Sequence, residues 1–150
     1  MEYTIRLMTA EDVPVIAEIE RQCFSAPWSE EEVEKCFGLE NYRFFVAETA
    51  SGPAGYVGIM KCMDEGDVAT LAVLPEFRRQ GIALKLMQTV LDYAEEEKIR
   101  YLFLEVRVSN LPARTLYERI GFRVVGLRPD YYESPRENAL LMKYERRLVC

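Results

Sequence analysis

The sequence predicts an α/β (α+β) fold in which about seven strands form a mixed, mostly antiparallel, twisted sheet flanked by about four helices. Strands and helices follow the order β-α-α-β-β-β-α-β-α-β-β, with a run of hairpins first and a crossover later. The chain also lacks the G-x-G-x-x-G fingerprint of dinucleotide-binding folds. Both observations disfavour a doubly wound sheet. At 150 residues, we expect a single domain, 1–150.

The first half of the chain predicts one strand, two helices and then three strands. Tyr3–Leu7 alternates between apolar and polar residues, as strands do. Capping signals at Thr9–Asp12 and Ser29–Glu32 open two helices, which the break Ala26–Trp28 separates. Turn residues at 51–53 and 64–67 divide the strands that follow, which are Tyr42–Glu48, Ala54–Met63 and Val68–Val73.

The second half predicts a long helix, a strand, a second helix and two last strands. Strand Tyr101–Arg107 follows the long helix, and Ser109-Asn110 offers an N-cap for a helix that ends at Gly121. A polar loop with Tyr131 and Tyr132 joins the last strands. The expected apolar stripe of the long helix is Leu84, Met87, Leu91 and Ala94. In the second helix, Tyr117 borders an expected core stripe of Ala113, Leu116 and Ile120. The last strands are Phe122–Leu127 and Ala139–Arg146.

Composition excludes several classes of function. The net charge of −6 argues against a nucleic-acid partner, since phosphate contacts need a basic face, and no apolar run is long enough to span a bilayer. The chain has no histidine, which removes histidine-based nucleophilic catalysis and the usual zinc sites. The cysteines lack metal-type spacing, so we expect free thiols, no metal and a cytoplasmic location. They are Cys23, Cys36, Cys62 and Cys150.

A short basic loop with one glycine, 77–84, lies between the strand that ends at Val73 and the long helix. Amides of a first helical turn lack internal partners, and the helix dipole adds positive charge there, so such a loop can bind phosphate oxygens. Gly81 lets the backbone approach an oxygen closely. Arg78 and Arg79 are either a solvated basic pair or part of this site, and their place at a helix opening favours phosphate. The loop therefore predicts a phosphorylated cofactor.

Two side chains of the second half are candidates for acid–base chemistry. Glu105 lies in an apolar strand and shares a face with Tyr101, Phe103 and Arg107. It is either a surface charge, paired with Arg107 or free, or a base in a partly dry cleft, where desolvation raises a carboxyl pKa. Tyr117 is either a half-buried core residue or a phenol whose ordinary pKa of about 10 suits protonation of a leaving thiolate.

Two aromatic segments are candidates for the substrate side. Tyr131-Tyr132 is either a pair of turn aromatics or a substrate wall. Trp28 follows a proline in the break between two helices, which favours a core or lid residue over a catalytic one.

Together these residues resemble the GNAT superfamily of acetyl-CoA-dependent N-acetyltransferases. Arg78–Ala83 is similar to the family's phosphate-loop pattern, R/Q-x-x-G-x-G/A. Glu105–Phe122 resembles the block E-V-R-x-S-N-x-x-A-x-x-L-Y-E-x-x-G-F of the RimI-like protein-N-terminal-alanine acetyltransferases, which modify a small-subunit ribosomal protein. Pro27-Trp28-Ser29 and Tyr131-Tyr132 also fit that subfamily. The resemblance covers nearly the whole chain and implies the GNAT fold.

The resemblance also implies roles for individual residues. Asn110 would bond near the pantetheine arm of acetyl-CoA. Glu105 would be the general base and Tyr117 the general acid, and we expect direct transfer in a ternary complex. Trp28 and Tyr131 would be walls for the acceptor. The strand end that would pair with the pantetheine arm is Leu71, Ala72 and Val73. The amides that would bind the pyrophosphate belong to Arg79, Gln80, Gly81, Ile82, Ala83 and Leu84.

The expected acceptor is the N-terminal α-amine of a protein, with alanine first, as in the RimI-like subfamily. An α-amine has a pKa near 8 and lysine one near 10.4, so deprotonating lysine at neutral pH costs about 3.3 kcal/mol more. This difference favours the α-amine only modestly. Lysine side chains, small-molecule amines and a non-catalytic acyl-CoA-binding module remain alternatives. Asp130, Glu133 and Asn138 depart from the subfamily around its peptide groove, which leaves the acceptor sequence open. We expect a monomer or a weak dimer.

Overall fold

The computed structural model describes residues 2–147, which form seven strands and four helices in the predicted order. The strands are β1 (Tyr3–Leu7), β2 (Tyr42–Thr49), β3 (Gly52–Cys62), β4 (Glu65–Val73), β5 (Tyr101–Arg107), β6 (Arg123–Tyr132) and β7 (Glu137–Glu145). The helices are α1 (Val13–Cys23), α2 (Glu30–Phe37), α3 (Ile82–Glu96) and α4 (Leu111–Arg119). Cys150 lies outside the described residues.

The strands form one sheet in the order β1-β2-β3-β4-β5-β7-β6. The pairs β1–β2, β2–β3, β5–β7 and β6–β7 are antiparallel. Strands β4 and β5 run parallel where Glu65–Asp67 pairs with Tyr101–Phe103. A parallel pair needs a long connection, and α3 lies between these two strands in the chain. The mixed, mostly antiparallel sheet is therefore confirmed.

Within the described residues, contacts divide the chain into two compact units. The first unit contains residues 2–60 and 68–93, and the second contains residues 61–67 and 94–147. The single domain expected from chain length stays a prediction. None of the helices in residues 2–147 combines the length and the apolar character that crossing a membrane requires.

The core of the first unit lies where α1 and α2 pack against β2 and β3. Ile16 and Ile19 of α1, Val33 of α2, Val46 of β2 and Tyr56 of β3 are all fully buried. These side chains meet because helical spacing places Ile16 and Ile19 on one side of α1, and Val46 and Tyr56 are directly paired across their strands. Both predicted capping boxes, at the starts of the two helical segments, are present.

The apolar stripe of α3 is only partly as predicted. Met87 and Ala94 are buried, but Leu84 and Leu91 are only half-buried. Apolar residues of α3 lie on more than one face, so the sequence alone does not determine which stripe packs inward. The buried positions that the prediction missed are Ile82, Leu86 and Val90, at i, i+4 spacing.

In the second unit, β5 alternates as predicted. Leu102, Leu104 and Val106 are buried, whereas Tyr101, Phe103, Glu105 and Arg107 share the half-buried face. The predicted core stripe of α4 is wrong, because Tyr117 is the buried residue of that helix and Ala113, Leu116 and Ile120 are half-buried. The ring of Tyr117 packs on Phe122 with the centroids 5.9 Å apart, and Phe122 packs on Tyr144 at 5.5 Å. The aromatic ring thus fills the space that the smaller side chains were expected to fill.

The segment with Tyr131 and Tyr132 lies in β6 and not in a loop. Pro129 and Asp130 are typical turn residues, and they explain the error. The register between β6 and β7 shifts between Arg128 and Tyr132, so the strand continues beyond an irregularity. Likewise β3 begins at Gly52 and β4 at Glu65, inside two predicted turns.

Candidate active site

The basic loop has the backbone geometry that anion binding requires. The φ angles of Arg79 and Gly81 are 63° and 81°, in the left-handed region that favours glycine. Left-handed residues in a turn direct neighbouring N–H groups toward one side, which forms a concave anion site. The carbonyl of Gly81 accepts the first helical bond, from the N–H of Lys85 at 3.0 Å. The amides of Ile82 to Leu84 therefore precede the first bond of α3 and have no partner in the helix.

The side chain of Arg78 folds back onto the end of β4. Its Nε donates to the carbonyl of Val73 at 2.9 Å, and its Nη2 lies 3.8 Å from the Sγ of Cys23. The thiol of Cys23 also donates to the Val73 carbonyl, at 3.5 Å. Burial raises the pKa of the Cys23 thiol, and the hydrogen bond with Arg78 opposes that rise. No sequence pattern indicated this use of Arg78, and its contact with a phosphate stays a prediction.

Trp28 is fixed through its backbone. Its N–H donates to Oε1 of Glu20 at 2.9 Å, and its side chain packs, partly buried, against the core of the first unit. Glu20 is only 3% exposed, and its other oxygen accepts from the hydroxyls of Tyr56 and Thr70. Burial, together with the charge of Glu20, raises the pKa of Tyr56. Sequence reasoning assigned Glu20 no role, although a carboxylate within an apolar helical stripe was the available signal.

Glu105 is half-buried, with 28% of its side chain exposed, and its Oε1 lies 3.1 Å from Nε of Arg128. The alternative pairing with Arg107 is wrong, because Arg107 pairs with Glu137 at 3.2 Å. The strand order explains this result. Arg128 of β6 and Arg107 of β5 both pair with the small, buried Ala139 of β7, so the long side chain of Arg128 can reach β5.

Two tyrosines of the second unit lie near this carboxylate. The rings of Tyr131 and Tyr132 pack edge to face at 5.0 Å, and Tyr131 remains 50% exposed. Burial, with smaller contributions from Tyr131 and Glu105, raises the pKa of Tyr132 to about 12. Burial also raises the pKa of Tyr117, and Tyr132 adds to that rise. Tyr132 therefore lies near both predicted catalytic groups, Glu105 and Tyr117.

Asn110 caps α4, as predicted. Its Oδ1 accepts from the N–H of Ala113 at 3.2 Å. The carboxylate of Glu137 accepts from the neighbouring N–H of Ser109 at 2.6 Å. A hydrogen bond from the Ser109 side chain and, after it, this backbone bond lower the pKa of Glu137. The cap uses one lone pair of the Asn110 oxygen, and its NH2 group can still donate. A contact between Asn110 and the pantetheine arm stays a prediction.

No metal cluster occurs in the part of the chain that the structure describes: no three His, Cys, Asp or Glu side chains there lie close enough to ligate one ion.

Known proteins identify the family to which this fold and this loop belong. The model of the acetyltransferase (GNAT) family matches residues 13–122. The chain belongs to the GNAT family. It is an acetyl-CoA-dependent N-acetyltransferase, as the resemblance implied.

Individual relatives of this GNAT acetyltransferase match over nearly their whole lengths. A Bacillus subtilis relative is 36% identical over 140 residues, 92% of each chain. The Escherichia coli ribosomal protein bS18-alanine N-acetyltransferase is 33% identical over 141 residues, 93% of this chain and 95% of that enzyme. The crystal structure of the ribosomal-protein-S18-alanine N-acetyltransferase from Escherichia coli matches with a TM-score of 0.92 and 30% identity. That match covers 99% of this chain and 97% of the other.

Proposed function

We propose that this chain transfers the acetyl group of acetyl-CoA to the N-terminal α-amine of a small-subunit ribosomal protein that begins with alanine. The observation that carries the proposal is the likeness over nearly the whole chain to enzymes named for acetylating the alanine of ribosomal protein bS18. The likeness extends over the second unit, which holds the acid–base candidates and the exposed Tyr131.

The residues of the first unit fit a coenzyme A pyrophosphate. The left-handed Gly81 and the free first-turn amides of α3 suit an anion that needs several N–H donors. Acetyl-CoA supplies the acetyl group as an activated thioester. The backbone of Leu71–Val73 would pair with its pantetheine arm, and Asn110 would bond to that arm.

Glu105 serves as the general base. Its side chain is 28% exposed, so water or an amine can reach it, and its pairing with Arg128 orients one oxygen while the other can accept a proton. An α-amine has a pKa near 8, and roughly a tenth of it is neutral at neutral pH, so a carboxylate that acts directly or through water is a sufficient base.

Tyr117 acts on the departing thiolate. Burial raises its pKa above the ordinary value, so the phenol keeps its proton at neutral pH. A thiol has a pKa of about 8.5, so complete transfer of a proton from this phenol to a thiolate is uphill. The role of Tyr117 therefore narrows from the predicted general acid to a hydrogen-bond donor that stabilises the thiolate until solvent protonates it.

The test is an acceptor screen with purified protein, acetyl-CoA and three peptides, read by mass spectrometry that locates the acetyl group. One peptide begins with alanine and lacks lysine, a second has a blocked N-terminus and an internal lysine, and a third begins with proline. We expect acetylation of the alanine amine alone. Transfer to lysine or to small-molecule amines would replace the proposed acceptor, and coenzyme binding without any transfer would support the binding-module alternative.

A further inference from the structure

A buried carboxylate of the first unit has no part in the chemistry proposed above. Glu20 of α1 is only 3% exposed, although carboxylates are almost never so buried unless their oxygens have partners. Its partners are two hydroxyls and a backbone N–H, which belong to Tyr56, Thr70 and Trp28. Glu20 therefore connects the segment between α1 and α2 with strands β3 and β4.

Each oxygen of Glu20 holds a different part of the unit. Oε1 accepts from the N–H of Trp28 at 2.9 Å, immediately after Pro27, which has no N–H to offer. Oε2 accepts from the hydroxyl of Thr70 at 3.0 Å and from that of Tyr56. A buried charge that loses its donors is strongly destabilising, so these bonds favour one arrangement of the connection over others.

The anchored positions lie beside residues of the proposed site. Thr70 directly precedes Leu71–Val73, the end of β4 assigned to the acetyl donor. One turn after Glu20 on the same helix, Cys23 contacts the carbonyl of Val73 at 3.5 Å. Helix α1 thus contacts this end of β4 at Thr70, through Glu20, and at Val73, through Cys23. Glu20 of the same helix also binds the backbone of Trp28.

We propose that Glu20 is a positioning residue that fixes Trp28, as a wall of the acceptor site, relative to the donor-binding end of β4. This inference rests on the proposed function. The ring of Trp28 also packs, partly buried, against the core of the first unit, so with its backbone fixed it presents one surface to the first residue of the acceptor. Acceptor binding therefore depends on Glu20 more strongly than donor binding does.

The chain provides its own reporter, because Trp28 is its only tryptophan. Glu20→Met keeps the side-chain length but removes both acceptor oxygens. Glu20→Gln keeps one acceptor for the N–H of Trp28, and its NH2 group can donate to the hydroxyls of Tyr56 and Thr70. Glu18→Gln is the matched control, since Glu18 lies on the same helix with an exposed carboxylate paired with Arg21 at 2.8 Å.

In E20M we expect tryptophan emission at longer wavelength, easier quenching by acrylamide and an acceptor KM raised about tenfold. The KM for acetyl-CoA should stay within about twofold, and E20Q should recover most of the acceptor KM. E18Q should match the wild type in every measurement. Unchanged emission and an unchanged acceptor KM in folded E20M would overturn the proposal.

Tyr56→Phe tests the proposal even when E20M does not fold. It removes one hydroxyl but keeps the bonds from Trp28 and Thr70, so tryptophan emission and the acceptor KM should be those of the wild type. If Y56F raises the acceptor KM without changing tryptophan emission, the acceptor KM depends on β3 and β4 rather than on Trp28. That result would overturn the proposed role of Trp28. If the wild-type protein transfers no acetyl group, only the proposed function is refuted. The comparison of tryptophan emission between wild type and E20M still tests the role of Glu20, because it does not need turnover.

Discussion

Glu20 of the first unit and Glu105 of the second unit are carboxylates in opposite environments. In the first unit, Glu20 is 3% exposed and takes part in hydrogen bonds to two hydroxyls and a backbone amide. In the second unit, Glu105 is 28% exposed and has one guanidinium partner, Arg128, which is itself half-exposed. A carboxylate that moves protons needs access to water and an oxygen without a hydrogen-bonding partner. Of these two residues, Glu105 meets both requirements and Glu20 meets neither. Glu20 can only hold its neighbours in place.

The same contrast extends to the other site residues. The first unit offers backbone amides at Gly81 and a strand end at Val73, which bind without changing protonation state. The second unit offers side chains that act on the reacting groups: Glu105 accepts a proton, and Tyr117 donates a hydrogen bond to the thiolate. Substitutions of Gly81 or of the strand end at Val73 should therefore change the KM of a substrate, and substitutions of Glu105 or Tyr117 should change kcat.

The largest expected effect is that of Glu105→Gln. Loss of a general base lowers kcat by about 100-fold or more, while the KM for acetyl-CoA stays within about twofold. Steady-state kinetics with an alanine-first peptide measures both. Glu145→Gln is the control, since Glu145 is an exposed partner of Arg100 and lies outside the site. A nearly unchanged kcat in E105Q would contradict the assignment of Glu105 as general base, and with it the contrast with Glu20.

Tyr117→Phe should have the next largest effect, about tenfold to 100-fold on kcat, as expected when one donor to a developing anion is lost. Donor affinity should persist, and calorimetry with coenzyme A tests this point. Phe keeps the ring contact with Phe122, so thermal stability should be similar to that of the wild type. If Y117F binds coenzyme A weakly but keeps its kcat, Tyr117 contributes to coenzyme binding and not to the chemical step.

Gly81→Ala should raise the KM for acetyl-CoA about tenfold with little change in kcat. A side chain at a φ of 81° is strained by about 1–2 kcal/mol, and the loop amides leave their positions. Gly52→Ala is the matched control, because Gly52 also has a left-handed φ, 107°, and open surroundings. Both variants should lose thermal stability, and only G81A should lose donor affinity. Equal donor KM values in the two variants would contradict the phosphate loop.

Asp12→Asn should have the smallest effect on activity, close to none. It tests instead how much the Arg6–Asp12 pair of the first unit contributes to stability. Hydrogen bonds from Arg6 lower the pKa of Asp12 below its ordinary value. A depressed carboxyl pKa contributes stability above the unfolded-state value of about 3.9 and loses it as pH falls through the folded value. The free energy of unfolding of the wild type should therefore be about 1.5 kcal/mol larger than that of D12N at neutral pH. This difference should become smaller below about pH 4. Urea unfolding at both pH values measures it, and a gap independent of pH would contradict the ion pair.

The site could be predicted from the sequence where the chemistry is local. The loop at Gly81 and the cap at Asn110 depend on neighbours within a few residues, so their patterns identify them. The partner of Glu105 could not be predicted, because Arg128 lies two strands away and reaches it only across β7. The bonds of Glu20 join residues up to 50 positions apart, so spacing gives no sign of them.

The sequence by itself determined the order of the elements, the alternating face of β5 and the family, because periodicity, capping and motif spacing act over short stretches of chain. Phosphate binding by the loop at Gly81 stays a prediction. Tertiary structure alone decided which stripe of α3 is buried, which side chain of α4 packs inward and which partners Glu20 and Glu105 meet. These outcomes depend on packing between distant segments, where a small residue such as Ala139 lets a long side chain pass.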